Sequence, residues 1–163
     1  MTRRPVRIVV AAAVALALGM VAPGPRAGAQ TPSFALLTPE EQMQYESVGS
    51  GAVRSIAIQS NAGPQIQIAA PQGFTLRSPV DFDIRVSPRD GVAVDMSTLR
   101  IDYRLGPAWV NVTNRIMRHA AIAGARLRAR GAELPQGDHA LRVSIRDAQQ
   151  RVTQATVRFT VAN

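Results

Sequence analysis

From Pro64 to the C-terminus, apolar and polar residues alternate with a period of two in seven short segments. Ile66 and Ile68 alternate with Gln65 and Gln67. Val80, Phe82, Ile84 and Val86 alternate with Asp81, Asp83 and Arg85, and Leu99, Ile101, Tyr103 and Leu105 with Arg100, Asp102 and Arg104. Further along, Val110 and Val112 alternate with Trp109 and Asn111, and Ala125, Leu127 and Ala129 with Arg126, Arg128 and Arg130. Leu141, Val143 and Ile145 then alternate with Arg142, Ser144 and Arg146, and Val157, Phe159 and Val161 with Arg158 and Thr160. A strand turns successive side chains to opposite faces, so each segment predicts a half-buried strand. Turn formers separate them at Pro71-Gln72-Gly73, Pro88-Arg89-Asp90-Gly91, Gly106-Pro107, Pro135-Gln136-Gly137 and Asp147-Ala148-Gln149. One apolar face per strand needs a second layer to cover it, which predicts an all-β, seven-stranded antiparallel sandwich over residues 64–163. A small barrel is the competing closure.

The pattern upstream is different. Residues 30–63 read as an N-terminal arm, helical or flexible. Thr38-Pro39-Glu40-Glu41 is a helix start, with Thr at the N-cap, Pro at the first helical position and acids in the first turn. The helix is predicted near 39–48, ending before Gly49-Ser50-Gly51, and at about ten residues it is marginal alone. Val53 to Ile58 is a short apolar stretch compatible with a strand, closed by a turn at Ser60-Asn61-Ala62-Gly63. Residues 1–29 read as a signal peptide: Arg3, Arg4 and Arg7, then an apolar run from Ile8 to Ala22, then Pro23-Gly24-Pro25 and the small-x-small site Ala27-Gly28-Ala29. The run is about 15 residues, short of the roughly 20 that span a bilayer, so no transmembrane anchor is expected once it is cleaved.

The C-terminal stretch resembles the last hairpin of bacterial Ig-like domains, of the immunoglobulin or fibronectin-III type. The matching positions are Leu134, Gly137, His139, Leu141 and Val143, then Asp147, then Phe159 and Val161, with Gln149-Gln150 where that family often has Gly-Asn. The resemblance implies a seven-stranded Ig-like sandwich. It also implies that His139 takes the place of a corner tyrosine, its ring packing on the core edge and bonding an upstream loop carbonyl. The Cys-Trp-Cys hallmark of antibody domains is missing, and a shared fold implies no active site.

Composition removes most catalytic toolkits. All 19 basic residues are Arg, and there is no Lys and no Cys. Disulfides, thiolate metal sites, lipidation at Cys, Schiff-base chemistry and the phosphate-loop lysine are therefore absent. The two His, His119 and His139, are 20 residues apart with no evident third ligand, and Met43, Met96 and Met117 are scattered rather than grouped for copper(I). The acids at 81, 83, 90, 95, 102 and 147 are too dispersed for a calcium loop and are expected to pair with Arg85, Arg100 and Arg104. No G-x-S-x-G or H-E-x-x-H motif occurs. The expectation is a protein that is not an enzyme and carries no cofactor.

The formal charge is +8, half of it from Arg3, Arg4, Arg7 and Arg26 in the leader and its flank. Downstream, Arg126, Arg128 and Arg130 project to one side of a single strand, and Arg142, Arg146 and Arg158 project outward on the last two. Guanidinium arrays suit carboxylate or phosphate partners, although outward charges also protect sheet edges from unwanted pairing. Trp109 is either core or a rim residue able to stack on a sugar ring. A signal of this style without disulfides fits a bacterial periplasmic or secreted protein. The leading expectation is an interaction module that binds a protein or an anionic envelope polymer through a sheet edge or the Arg-bearing face. The alternative is a carbohydrate- or copper-binding protein. Nucleic acid is not an expected partner, because stacking platforms are lacking; the oligomeric state is not readable.

Overall fold

The computed structural model describes residues 32–48, 56–60, 62–71, 73 and 75–162. The signal-peptide expectation for 1–29 lies outside the described residues. The chain runs through β1 (Phe34–Ala35), α1 (Pro39–Val48), β2 (Ile56–Ser60), β3 (Gln65–Ala70), β4 (Thr75–Arg77), β5 (Val80–Ser87) and β6 (Val94–Leu105). It continues through β7 (Ala108–Asn111), α2 (Thr113–Met117), β8 (Ala120–Ala123), β9 (Arg126–Glu133), β10 (Gly137–Asp147) and β11 (Val152–Ala162). No helix of the described residues is long and apolar enough to cross a membrane.

The strands form two sheets. One has five strands in the order β1-β9-β5-β3, with β8 also on β9. The other has six in the order β2-β11-β10-β6-β7, with β4 also on β11. Each of the seven alternating segments forms a strand, and the architecture is all-β. The seven-stranded, purely antiparallel expectation is nevertheless corrected. β1 pairs with β9 and β4 with β11 in parallel, and β1, β2, β4 and β8 are additional. β2 overlaps the apolar stretch Val53 to Ile58 that the sequence offers as a strand; β1, β4 and β8 are two to four residues long and show no sustained alternation, so periodicity could not reveal them.

The inner faces of both sheets close one core. β5 supplies Val80, Phe82, Ile84 and Val86; β6 supplies Leu99, Ile101, Tyr103 and Leu105. Leu127 and Ala129 of β9, Leu141, Val143 and Ile145 of β10, and Val157, Phe159 and Val161 of β11 complete it. Burying each such side chain contributes about 1.5–3 kcal/mol, enough in sum for a domain of this size to fold without disulfides.

Residues 32–48 pack on this body. Phe34, Leu36 and Leu37 are buried in the shared core. The Leu36 N–H donates to Glu133 O at 3.2 Å. α1 opens with a reciprocal cap: the Thr38 N–H donates to Glu41 Oε2 at 2.8 Å, and the Glu41 N–H to Thr38 Oγ1 at 3.3 Å. The same Glu41 carboxylate receives both terminal nitrogens of Arg115, one at 2.5 Å and one at 3.0 Å, which ties α1 to α2. Burial pushes the Glu41 carboxyl up, and the bonds from Arg115 and Thr38 outweigh it, leaving the group below its usual range.

Two glycines permit this docking. A Cβ at Gly131 would stand 2.6 Å from Pro32 O, where β1 meets β9. A Cβ at Gly137, whose φ is +130°, would stand 2.4 Å from Tyr45 Oη. The Gly137 of the hairpin signature thus makes room for a side chain from the N-terminal helix.

Candidate functional site: two arginine-bearing sheet faces

The arginines read from the sequence fall on both sheets. Arg126, Arg128 and Arg130 lie on β9, in the five-stranded sheet; Arg142 and Arg146 lie on β10 and Arg158 on β11, in the six-stranded sheet. Because each set alternates with buried residues of the shared core, the sets face outward from opposite sides of the body. They are therefore two surfaces, not one stripe.

On the five-stranded sheet, β5 and β9 run antiparallel with Asp83 opposite Arg128 and Arg85 opposite Arg126. Asp83 is the hub. Arg126 donates from Nε to Asp83 Oδ1 at 2.8 Å and from Nη2 to the other oxygen. Arg128 Nε donates to Oδ2 at 3.3 Å, and Arg85 Nε stands 3.9 Å away. The Arg126 guanidinium, with help from Arg128, holds the Asp83 carboxyl down to about 2, so it stays ionised and keeps the guanidinium groups oriented. Arg128 and Arg85 use only Nε here, and their side chains remain about half exposed, at 49% and 47%. Arg130 is exposed and has no ion pair among the described residues. Asp81, on the same face, accepts the Gly131 N–H at 3.0 Å.

On the six-stranded sheet a different cluster forms. Asp102 of β6 stands opposite Arg142 of β10 and Asn111 of β7. It is 2% exposed although it points away from the core, because its neighbours cover it. Arg100 Nε donates to Oδ1 at 2.9 Å and Arg142 Nη2 to Oδ2 at 3.0 Å. The Arg142 guanidinium also lies over the Trp109 ring, 4.4 Å from its centroid. Trp109 is thus half-buried beside the cluster and outside the buried core. Arg104 donates to Gly106 O at 3.1 Å rather than to an acid. Arg146 bonds Gln150 Oε1 at 3.2 Å, and Arg158 is half-buried.

His139 shares the inward face of β10 with Leu141 and is 3% exposed. Its Nε2 is 2.9 Å from Pro135 O and its Nδ1 is 2.7 Å from Tyr103 Oη. A carbonyl only accepts, so Nε2 carries the proton and Nδ1 accepts from the Tyr103 hydroxyl. Tyr45 stacks on the ring at 5.1 Å between centroids, and Phe159 packs on it at 5.5 Å. Tyr45 also donates to Asp138 O at 2.9 Å. Burial dominates the electrostatics: it pushes His139 down to about 4 and raises the Tyr103 hydroxyl. The ring is fully engaged in packing and offers no free ligand atom. His119 stacks on Phe34 with centroids 4.2 Å apart.

No group of three His, Asp or Glu side chains among the described residues could hold a metal ion. Met43, Met96 and Met117 sit on α1, β6 and α2 respectively. A cleft of about 410 Å³ lies beside α1, lined among others by Gln42, Ser78 and Glu133. Ser78 Oγ accepts the Leu134 N–H at 3.1 Å, and Glu133 accepts from Ser33 Oγ. Ser78 thus serves the local backbone, while Glu133 and Gln42 are held by the side chains of Ser33 and Glu46.

Sequence reasoning missed Tyr45 as the partner of His139, the Asp102–Arg142–Trp109 cluster and β8. The first two need strand register and tertiary docking. β8 reads Ala-Ala-Ile-Ala and has no alternation to find.

No family model matches the sequence, and no curated protein matches it. Among solved structures, an engineered protein is similar over 61% of this chain and 20% of its own, at 17% identity and a TM-score of 0.43. This chain spans about a fifth of that protein's length. CopC from Methylosinus trichosporium OB3b is similar over 63% of this chain and 93% of its own, at 14% identity and a TM-score of 0.40. Neither likeness carries a residue or an activity across.

Proposed function

We propose that the chain is a non-catalytic, Ig-like interaction module, periplasmic or secreted, that binds an acidic protein or an anionic envelope polymer through the outer face of its five-stranded sheet. The observation that carries the reading is the Asp83-centred array: Arg85, Arg126 and Arg128 are held in register by one ionised carboxylate, with Arg130 beside them. Ordering several long cationic side chains before a partner arrives lowers the entropy cost of binding. Their terminal nitrogens suit carboxylate, sulfate or phosphate oxygens. The leader pattern in residues 1–29 supports export. On the other sheet, one ring face of Trp109 is already taken by Arg142, which argues against sugar stacking there.

The test is retention of the full chain on heparin and binding of fluorescent polyglutamate at about 0.01 M salt, where charges act over roughly 30 Å. Arg128→Gln/Arg130→Gln should lose binding to both probes while leaving the Arg126–Asp83 pair intact. Arg100→Gln/Arg104→Gln, on the opposite sheet, should retain it. No retention of the native chain, or equal loss from both double variants, overturns the proposal.

A further inference from the structure

The rim of the five-stranded sheet next to this array is unusual. β8 pairs with β9 on one side, with Ala121 opposite Arg128, Ile122 opposite Leu127 and Ala123 opposite Arg126. No strand among the described residues pairs with its other side. Exposed edges are normally guarded by charge, proline or a bulge, and β8 has none of these in Ala120–Ala123. Ile122 lies on the core side of the sheet, beside Leu127, which is 1% exposed; yet Ile122 is itself 48% exposed. The apolar layer therefore continues past the last strand and ends uncovered. On the outer side, Ala121 and Ala123 present only methyl groups between the open edge and the arginines of β9, of which Arg126 and Arg128 are anchored on Asp83 across the strand, Arg128 through Nε alone. The exposed Arg118 lies two residues before β8 and adds to the positive field at the same rim.

We infer that the outer edge of β8 receives an extended segment of a partner protein as an added strand, with apolar residues facing Ile122 and acidic residues facing the β9 arginines. An added strand would lie about 10 Å from β9, two strand spacings, so its acidic side chains would reach back over the two alanines toward the terminal nitrogens of Arg128 that Asp83 leaves unused. Main-chain hydrogen bonds to β8 supply affinity, and the alternation of acid and apolar side chains supplies specificity. The inference rests on the proposed acidic-partner reading and narrows it to a protein segment and an edge. A polyanion that merely coats the arginine face would need neither the open backbone of β8 nor Ile122.

The experiment uses the full chain and three eight-residue fluorescent probes with the alternating sequence Glu-Val. One is unmodified, one is N-methylated at every Val, and one is N-methylated at every Glu. Successive backbone N–H groups of a strand point to opposite edges, so one methylated probe should lose at least tenfold in affinity and the other should bind like the parent. Ile122→Gln should weaken the unmodified probe several-fold and leave heparin retention unchanged. Equal binding of all three probes, or no effect of Ile122→Gln, overturns the edge while leaving the arginine-face reading intact if heparin is still retained. Failure of both heparin and the unmodified probe to bind overturns both.

Discussion

His139 sets a pH dependence of stability that can be computed from its surroundings. Folded, its pKa is pushed down to about 4 by burial; its ordinary value is 6.5. Below pH 6.5 the unfolded chain takes up a proton that the folded chain refuses, so the native state is favoured less as pH falls, until the folded ring also protonates near 4. Integrated between pH 7.5 and 5.0, the difference is about 2 kcal/mol. The carboxylates act in a different window. Asp83, lowered to about 2 by Arg126, gives stability that is complete above its unfolded value near 4 and disappears only below it. Urea unfolding at pH 7.5, 6.0 and 5.0, read by far-ultraviolet circular dichroism, isolates the histidine. The native chain should lose about 2 kcal/mol over that range. His139→Gln should be weaker at pH 7.5, with its ring contacts to Tyr45 and Phe159 gone, but nearly flat with pH. A flat native profile, or the same slope in the variant, would show that the buried His139 ring does not set this pH dependence.

Three further outcomes follow from named contacts. Gly137→Ala, whose Cβ would press on Tyr45 Oη at 2.4 Å, should lower the melting temperature, and Tyr45→Ala should relieve part of that loss; strictly additive costs in a double-mutant cycle would contradict the contact. Gly131→Ala, at 2.6 Å from Pro32 O, should detach β1, seen as faster amide exchange at Ala35 and Leu36 with β5 unaffected. Arg142→Ala should uncover Trp109, the only Trp, and leave Asp102 with Arg100 alone; a red shift in emission and a loss of about 2 kcal/mol are expected, less than the 3–5 of a fully buried pair because Arg142 is partly solvated. Unchanged emission would place that guanidinium elsewhere.

The long strands were legible because each must bury one face. Val80-Asp81-Phe82-Asp83-Ile84-Arg85-Val86 could hardly read otherwise, and the core follows from it. The helix at Pro39–Val48 was legible from its cap. Its docking was not: its face is almost wholly polar, and attachment depends on Tyr45 meeting His139 from a hairpin some ninety residues away and on Glu41 meeting Arg115 of α2. The short strands β1, β4 and β8 gain stability from neighbours rather than from their own pattern. Arginine placement was half legible. Alternation showed that Arg126, Arg128 and Arg130 share a side, but sheet assignment decided that Arg142 and Arg158 face the opposite direction. Asp102 shows the same limit: alternation makes it outward, and only the register with Arg142 and the stacking on Trp109 make it buried.

An acidic partner that meets the chain along β8 and β9 should leave its mark on the backbone amides of those strands. Hydrogen–deuterium exchange of the full chain, with and without the unmodified Glu-Val probe, tests it residue by residue. Added protection is expected in Ala120–Ala123, where open edge amides become bonded, with smaller changes at Arg126–Arg130 and none at Ala108–Asn111. Protection confined to the Trp109 face, or none anywhere under conditions where the probe binds, would contradict it.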